Sequence, residues 1–425
     1  VRILVINSGG TSIKYQLFEF RGGELVVVAK GAVENIGQPP AHLDPIETRK
    51  SRGAAASMGQ PHALLKFDVP EQPPFRQEIE AKDHAEGLKQ ALRLLVDPEI
   101  GPLSSYREID AVGHRVVQAG EKFRGTFLID EALLVALREH SELAPLHNPP
   151  NIKGIEACRR LMPDIPQVAV FDNAFHKDLP DYAYLYALPF EYYEKYGVRR
   201  YGFHGISFKY MTERAADLLK IDVTQKRIIS LMLGSGTTIN ALAYGQSVDV
   251  STGLSPTEGL IQSTRSGDLD PFVITYIMRK EGLSPEQMDE VLSKRSGWQG
   301  ISGVSNDLRL VEEAAGQGNA RARLALQAFT YRAKKYIGAY AAAMGGVDLL
   351  LFAGGVGENS ANIRGEICRG LDFLGIELDP ERNATLKGEG LVSRTGASVP
   401  VLVVDTNEES VIAKETYVLL TGQLE

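Results

Sequence analysis

Two arginines stand in settings suited to binding anions: Arg115 in Gly113-His114-Arg115-Val116-Val117, and Arg265 in Ser263-Thr264-Arg265-Ser266-Gly267-Asp268. A guanidinium offers a planar fork of donors that matches a carboxylate or a migrating phosphoryl group. Surface ion pairing is the plainer role for any single arginine. Three histidines lie in loop-like motifs: His147 in Leu146-His147-Asn148-Pro149, His176 in Phe171-Asp172-Asn173-Ala174-Phe175-His176, and His204 in Tyr201-Gly202-Phe203-His204-Gly205. None has metal-ligand spacing, and each taken alone also suits a structural role. An imidazole near Asp172 could donate to phosphoryl oxygens in transfer, and Asp172 could equally cap a loop. Glu408, in Asp405-Thr406-Asn407-Glu408-Glu409, follows an apolar run and is placed to hold Mg²⁺ directly or through water. A glutamate at a helix N-terminus is also stable without a metal.

Three glycine-dense turns add phosphate-sized backbone cradles. In Asn7-Ser8-Gly9-Gly10-Thr11-Ser12-Ile13-Lys14 the amide groups can approach an anion, with Ser12 and Lys14 adding a hydroxyl and a charge. An ordinary hairpin has the same composition. Gly234-Ser235-Gly236-Thr237-Thr238 is the second such turn, and Gly354-Gly355-Val356-Gly357-Glu358-Asn359 is the third. The third follows an apolar strand and precedes a helix, where flat backbone could admit adenine and ribose. No Gly-x-x-x-x-Gly-Lys-Ser/Thr occurs, and no Gly-x-Gly-x-x-Gly follows the first strand, which disfavours a Walker-type loop and nicotinamide chemistry.

These residues need strands and helices to hold them. Residues 1–7, 14–20 and 24–28 read as strands, the last two joined at Gly22-Gly23. Residues 38–75, rich in proline and glycine, read as a surface excursion with weak strand potential near 63–69. A helix over 80–96, a strand over 109–117, helices over 131–142 and 149–161, and a buried-type strand over 167–171 follow, so Asp172 leaves a strand end. Beyond lie strands at 228–233, 238–243, 348–352 and 401–404. Helices begin at 270, 284, 306, 320, 360 and after 407. A glycine turn near the start of each half suggests a duplicated fold.

Composition narrows the function. The chain has 425 residues, 44% hydrophobic and 24% charged, enough for two packed domains. A net charge of −8 without a Lys/Arg block argues against nucleic-acid binding. Cys158 and Cys368, the two cysteines, suggest neither disulfide nor zinc site, and a cytoplasmic location is expected. The first residues run straight into a strand pattern, so a signal peptide is not expected. The apolar stretch 336–356 is broken by Asp348 and glycines, so no membrane span is expected.

The order of these motifs, together with Ala144-Pro145-Leu146-His147-Asn148-Pro149 and Gly300-Ile301-Ser302-Gly303, resembles the acetate kinase family from Ile3 to the last helix. That family belongs to the superfamily of sugar kinases, actin and the heat-shock chaperone ATPases. The resemblance implies an α/β protein of two ribonuclease-H-like (actin-type) domains flanking a central cleft, residues 1–174 plus 410–425 and residues 175–409. The second domain would hold the nucleotide site and most of a homodimer surface. It further implies transfer of a phosphoryl group from ATP to a short-chain carboxylate, with Mg²⁺, giving an acyl phosphate and ADP. By position, Arg115 and Arg265 would bind the carboxylate and the transferring phosphoryl group, Asp172 would be the essential carboxylate, and His204 would contact the phosphoryl in flight. Asn7 and Glu408 would place the metal. Ser12, Lys14, Gly234, Ser235, Gly236, Asp307, Arg309, Gly355, Val356 and Asn359 would serve the nucleotide. Val117, Leu146, Phe203 and Pro256, with His147, would form the acid pocket. Positioning and charge neutralisation are what a loose phosphoryl-transfer transition state requires.

Several positions depart from the family pattern. Met232-Leu233-Gly234-Ser235-Gly236 stands where His-Leu-Gly-Asn-Gly is usual, Gly10 and Thr11 replace serines, Gln118-Ala119-Gly120 replaces His-Gly-Gly, and 38–75 is longer than usual. Their clustering near phosphate and acid predicts slower turnover or an altered acid preference. The alternatives are a kinase of longer or branched acids, and a nucleotide-binding relative with little turnover.

Overall fold

Residues Arg2–Ser8 form β1, a strand buried on both faces that pairs with antiparallel β2 (Ile13–Arg21) on one side and parallel β6 (Ala111–Val116) on the other. The structure is a computed structural model that describes residues 1–37, 62–144 and 147–422. The chain divides into two units, Val1–Ala174 with Glu408–Glu425, and Phe175–Asn407.

In the first unit β3 (Glu24–Glu34), β4 (His62–Asp68), β5 (Phe75–Glu80), β7 (Thr126–Leu128) and β8 (Gln167–Phe171) complete an eight-stranded sheet of order β5-β4-β3-β2-β1-β6-β8-β7. Alternate residues of a strand face opposite sides. Leu4, Ile6 and Val112 therefore meet Leu88 and Ala91 of α1 (His84–Leu95) and Ala157 and Cys158 of α3 (Asn148–Leu161). Helix α2 (Glu131–Glu139) packs Leu133 and Leu137 beside Val116 and Phe171. Gly113 faces the other way, toward the C-terminal helix, Glu408–Thr421. A Cβ on Gly113 would lie 2.4 Å from Thr416 Oγ1 and 2.9 Å from Ile412 Cγ2, so glycine is what lets that helix rest on the sheet. Glu408 and Glu409, read in the sequence as part of the second domain, open this helix and lie in the first unit.

The second unit has a six-stranded sheet of order β11-β10-β9-β12-β14-β13, made of β9 (Arg227–Leu233), β10 (Thr237–Ala243), β11 (Gln246–Val250), β12 (Leu349–Ala353), β13 (Gly390–Leu391) and β14 (Val401–Val403). Its helices are α4 (Asp181–Tyr184), α5 (Glu191–Tyr196), α6 (Gly205–Leu219), α7 (Pro271–Glu281), α8 (Pro285–Lys294), α9 (Gly297–Ser302), α10 (Leu308–Gly316), α11 (Ala320–Met344), α12 (Gly354–Asn359), α13 (Ala361–Cys368) and α14 (Pro380–Thr385). Ile228, Leu349 and Leu351 meet Phe208, Met211 and Ala215 of α6, while Ile229, Leu350 and Phe352 meet Phe329, Ala333 and Ile337 of α11. The five-strand run β3-β2-β1-β6-β8 is matched by β11-β10-β9-β12-β14, with an antiparallel hairpin at β1–β2 and β9–β10 and parallel strands beyond. The duplication suggested by the glycine turns is this repeated order.

Three readings change. The weak strand potential at 63–69 of the expected excursion is strand β4, whereas β5, an edge strand whose Arg76, Gln77 and Glu78 are exposed, was not expected, and the following helix starts at His84 and not at residue 80. Polar residues suit a sheet edge and erase the apolar alternation that reveals a strand. The expected turn Gly354–Asn359 is the short helix α12. Helix α6 was not foreseen, because His204 at its N-cap makes no side-chain capping bond and supplies none of the usual start signals. Residues 38–61 of the expected excursion, and Leu146, lie outside the described residues. Among the described residues no helix is long and apolar enough to cross a membrane.

Candidate active site

The parallel strands β1, β6 and β8 end side by side, and their carboxyl ends deliver Asn7, Arg115 and Asp172. Asp172 is fully buried and its amide donates to Val116 O at 2.8 Å, which fixes it beside β6. Arg115 donates from NH2 to Asp172 Oδ2 at 2.9 Å and from NH1 to Asn7 Oδ1 at 3.4 Å. Burial acts to lower the Arg115 pKa, but Asp172, Glu408 and Glu409 outweigh it and hold the pKa above the ordinary arginine value. Asn7 Nδ2 donates to Glu408 Oε2 and to Glu409 Oε1, each at 3.0 Å. The amide direction follows from chemistry, since carboxylates only accept and a guanidinium only donates.

Sequence reasoning missed a role for Glu409, and marked Gln118 only as a departure from the family pattern, whereas Gln118 centres a buried amide set beside this cluster. Gln118 Oε1 accepts from Gly120 N at 2.9 Å and from Asn173 Nδ2 at 3.3 Å, while Gln118 O accepts from Asn148 Nδ2 at 2.7 Å. Gln118 thus ties the turn after β6 to the residue following Asp172. Val117 is buried next to it, and His147 is the N-cap of α3. Ser12 and Lys14 occupy the β1–β2 hairpin, where Ser12 O accepts from Gly9 N at 2.8 Å and the Lys14 side chain is exposed.

The group in the first unit that could hold a divalent cation is the Glu408 carboxylate, with Asn7 beside it. No group of three or more His, Cys, Asp and Glu residues among the described residues could hold a metal. Mg²⁺ commonly uses one or two carboxylates with water and substrate phosphates rather than a protein cage. Asn7 turns its nitrogen toward Glu408, so its contact there orients the carboxylate.

In the second unit His204 has φ +59° and its Nδ1 lies 2.8 Å from Thr238 Oγ1. Phe203, immediately before it, is buried and its amide donates to Thr252 Oγ1 at 3.0 Å. Arg265 is half-buried and donates from NH1 to Gln262 Oε1 at 3.1 Å. Burial lowers its pKa, and no carboxylate among the described residues pairs with it. Gln262 is a second missed residue: Oε1 also accepts from Thr237 N at 3.3 Å, and Nε2 donates to Pro256 O at 2.5 Å. It therefore joins Arg265, the glycine turn and Pro256. A lone glutamine or threonine has no spacing rule that would mark it in a sequence.

Beside that turn lies a cavity of about 710 Å³. Gly234, Ser235, Asp307, Arg309, Gly355, Val356 and Asn359 line it, with Trp298, Asn306, Glu312 and Ser360. Seven residues expected at the nucleotide thus gather there, and Gly236 continues the same turn. Asp307 caps α10 by accepting from Arg309 N at 2.9 Å, and its carboxylate pairs with the Arg309 guanidinium, NH2 to Oδ2 2.6 Å. The bonded Arg309 side chain holds the Asp307 pKa below the usual value. Met232 pairs across the strands with Thr238, and a Cβ on Gly354 would lie 3.0 Å from its Sδ. The thioether thus sits against the start of α12.

The Acetokinase family model matches residues 2–414. The acetate kinase of Thermoanaerobacter pseudethanolicus is 47% identical over 423 residues, covering 99% of this chain and 100% of the relative. That of Thermotoga maritima is 47% identical over 419 residues, covering 98% of each chain. The crystal structure of Porphyromonas gingivalis acetate kinase superposes with TM-score 0.86 at 43% identity, covering 99% of this chain and 100% of that one. A propionate kinase from Francisella tularensis superposes with TM-score 0.84 at 34% identity, covering 97% and 98%. The repeated sheet order and these superpositions establish the actin-type fold in both units. With a family model spanning nearly the whole sequence and full-length relatives near half identity, the chain belongs to the acetokinase family.

Proposed function

We propose that this chain transfers the terminal phosphoryl group of ATP directly to acetate, and to propionate as a second substrate, giving an acyl phosphate and ADP reversibly. The chain is a kinase with a carboxyl acceptor, as its family membership and curated relatives indicate. The observation that carries the finer reading is the cavity beside Gly234 and Ser235, which gathers the residues expected at the nucleotide. A carboxylate oxygen attacks the γ-phosphorus, that O–P bond forms, and the bond to the bridging oxygen of ADP breaks. Arg265, partly buried without a carboxylate partner among the described residues, supplies uncompensated positive charge for the acid and the transferring group. Arg115 is held by Asp172 and Asn7 so that its fork is positioned before substrate arrives. His204 donates to a phosphoryl oxygen. Bound Mg²⁺ would neutralise phosphate charge. Glu408, oriented by Asn7, would hold it with nucleotide phosphates and water.

Val117, Leu146, Phe203 and Pro256 are proposed to line the acid's alkyl end, and His147 to lie beside them. Such a pocket selects weakly, about 1–3 kcal/mol per methylene, which is why propionate is included. Ser12 and Lys14 are proposed to approach the nucleotide phosphates. A homodimer is proposed from the second unit, where Tyr182, Phe190, Tyr196, Phe272, Tyr276 and Tyr331 are all exposed. A cytoplasmic location, and no nucleic-acid or membrane partner, belong to the same reading.

The test is acyl phosphate formation, trapped with hydroxylamine, from Mg-ATP with formate, acetate, propionate, butyrate and branched acids. Product from acetate and propionate, lost in Arg115→Ala and Arg265→Ala, is expected. Product only from longer or branched acids would reassign the substrate. No product from any acid, in protein that binds ATP, would leave a nucleotide-binding relative with little turnover.

A further inference from the structure

His204 is held in an unusual way. Its backbone is left-handed at φ +59°, a conformation uncommon outside glycine that persists only where the surroundings impose it. It stands at the N-cap of α6 yet makes no side-chain capping bond, so the ring is not occupied in starting the helix. The ring instead meets Thr238, a fully buried residue of β10, through Nδ1 and Oγ1 at 2.8 Å. Its Cε1–Nε2 edge runs along the glycine turn: a Cβ on Gly236 would lie 3.2 Å from Cε1 and 3.4 Å from Nε2. That turn borders the nucleotide cavity through Gly234 and Ser235. Nε2 is therefore the ring nitrogen nearer the glycine turn, and Nδ1 is the one bonded to Thr238.

The choice of a hydroxyl as partner has a chemical consequence. A phosphoryl oxygen only accepts, so the ring must present N–H at Nε2. Neutral imidazole carries a single N–H. A carbonyl or carboxylate against Nδ1, the frequent partners of functional histidines, would hold that proton at Nδ1 and turn a lone pair toward the phosphoryl group. A hydroxyl can donate. The geometry points to Thr238 as a positioning residue that donates its O–H to Nδ1 of His204 and thereby keeps neutral His204 in the Nε2–H form that the transferring phosphoryl group needs. Thr238 lies directly opposite Met232 in the β9–β10 ladder.

This inference rests on the reading of His204 as a phosphoryl contact, and its test separates the two. Thr238→Val keeps the side-chain shape and removes the hydroxyl, while Thr238→Ser keeps the hydroxyl. In acyl phosphate assays kcat should fall about tenfold in Thr238→Val with the KM for ATP within about twofold, and Thr238→Ser should stay within about threefold of wild type in kcat. Imidazole 15N spectra, with the His204 signals assigned by their loss in His204→Gln, should show the proton on Nε2 in wild type and in Thr238→Ser. Unchanged kcat in Thr238→Val, equal losses in both variants, or a proton resident on Nδ1 in wild type would each overturn the inference. If His204→Gln itself keeps full activity, the fault lies with the phosphoryl-contact reading instead.

Discussion

Arg115 and Asp172 meet through one hydrogen bond, NH2 to Oδ2 at 2.9 Å, with the aspartate side chain wholly buried and the arginine side chain 13% exposed. Removing one member of such a pair leaves the other charge buried without compensation, whereas removing both charges does not. Arg115→Ala should abolish measurable turnover and lower stability by about 3–5 kcal/mol. Arg115→Ala combined with Asp172→Asn should recover part of that stability while remaining inactive. Urea unfolding of the two variants checks this, and equal midpoints would count against the pair as a stabilising unit.

Arg265 differs in a way that separates the two arginines experimentally. Its side chain donates to the neutral Gln262, and burial pulls its pKa down. Its charge does not hold the unit together, so Arg265→Ala should change stability by less than about 1 kcal/mol. Activity should fall more than about a hundredfold in kcat/KM for the acid, because in the proposed reaction this charge faces the reacting group. Thermal melts beside steady-state kinetics would show it. A large drop in melting temperature would mean that Arg265 is structural.

What could be read from the sequence follows from how each element is buried. Strands β1, β8 and β12 are covered on both faces and appear as unbroken apolar runs. The polar edge strand β5 carries no such signal. Gly354–Asn359 looked like a turn because its glycines hide a helix start that depends on its place after β12. Arg115, Asp172 and Arg265 stood out through residue type and position at strand ends or in loops. Gln262 did not, and Gln118 and Thr238 appeared only as a departure from the family pattern and as the end of a glycine turn, because the significance of all three arises from contacts to Asn173, Arg265 and His204 that only the fold creates.

Met232 tests whether an imidazole at this position would add to the site. Its backbone lies opposite Thr238, and its sulfur sits against the start of α12. Met232→His should raise turnover, or tighten ATP, by about three- to tenfold through one added hydrogen-bond donor. Initial rates at varied Mg-ATP decide it. Turnover and nucleotide affinity both unchanged would mean that the thioether costs nothing at this site.

His114, between Gly113 and Arg115 on β6, is buried with Nε2 2.7 Å from Gln167 Oε1, and burial pushes its pKa down to about 4 against the modest support of that glutamine. An unfolded histidine titrates near about 6.5, so below that pH the unfolded chain binds a proton that the folded chain refuses. Stability from this group is therefore complete above about pH 6.5 and is lost as pH falls through the folded value. From about pH 7 to about pH 4.5 the loss is about 2–3 kcal/mol, from the shift and about 1.4 kcal/mol per pKa unit. Carboxylates titrate in the same range, so the comparison must be with a non-titrating side chain at this position. His114→Gln, unfolded by urea at both pH values, should lose about 2–3 kcal/mol less than wild type on acidification. Parallel losses would show that the His114 ring takes up a proton in the folded state as readily as in the unfolded one.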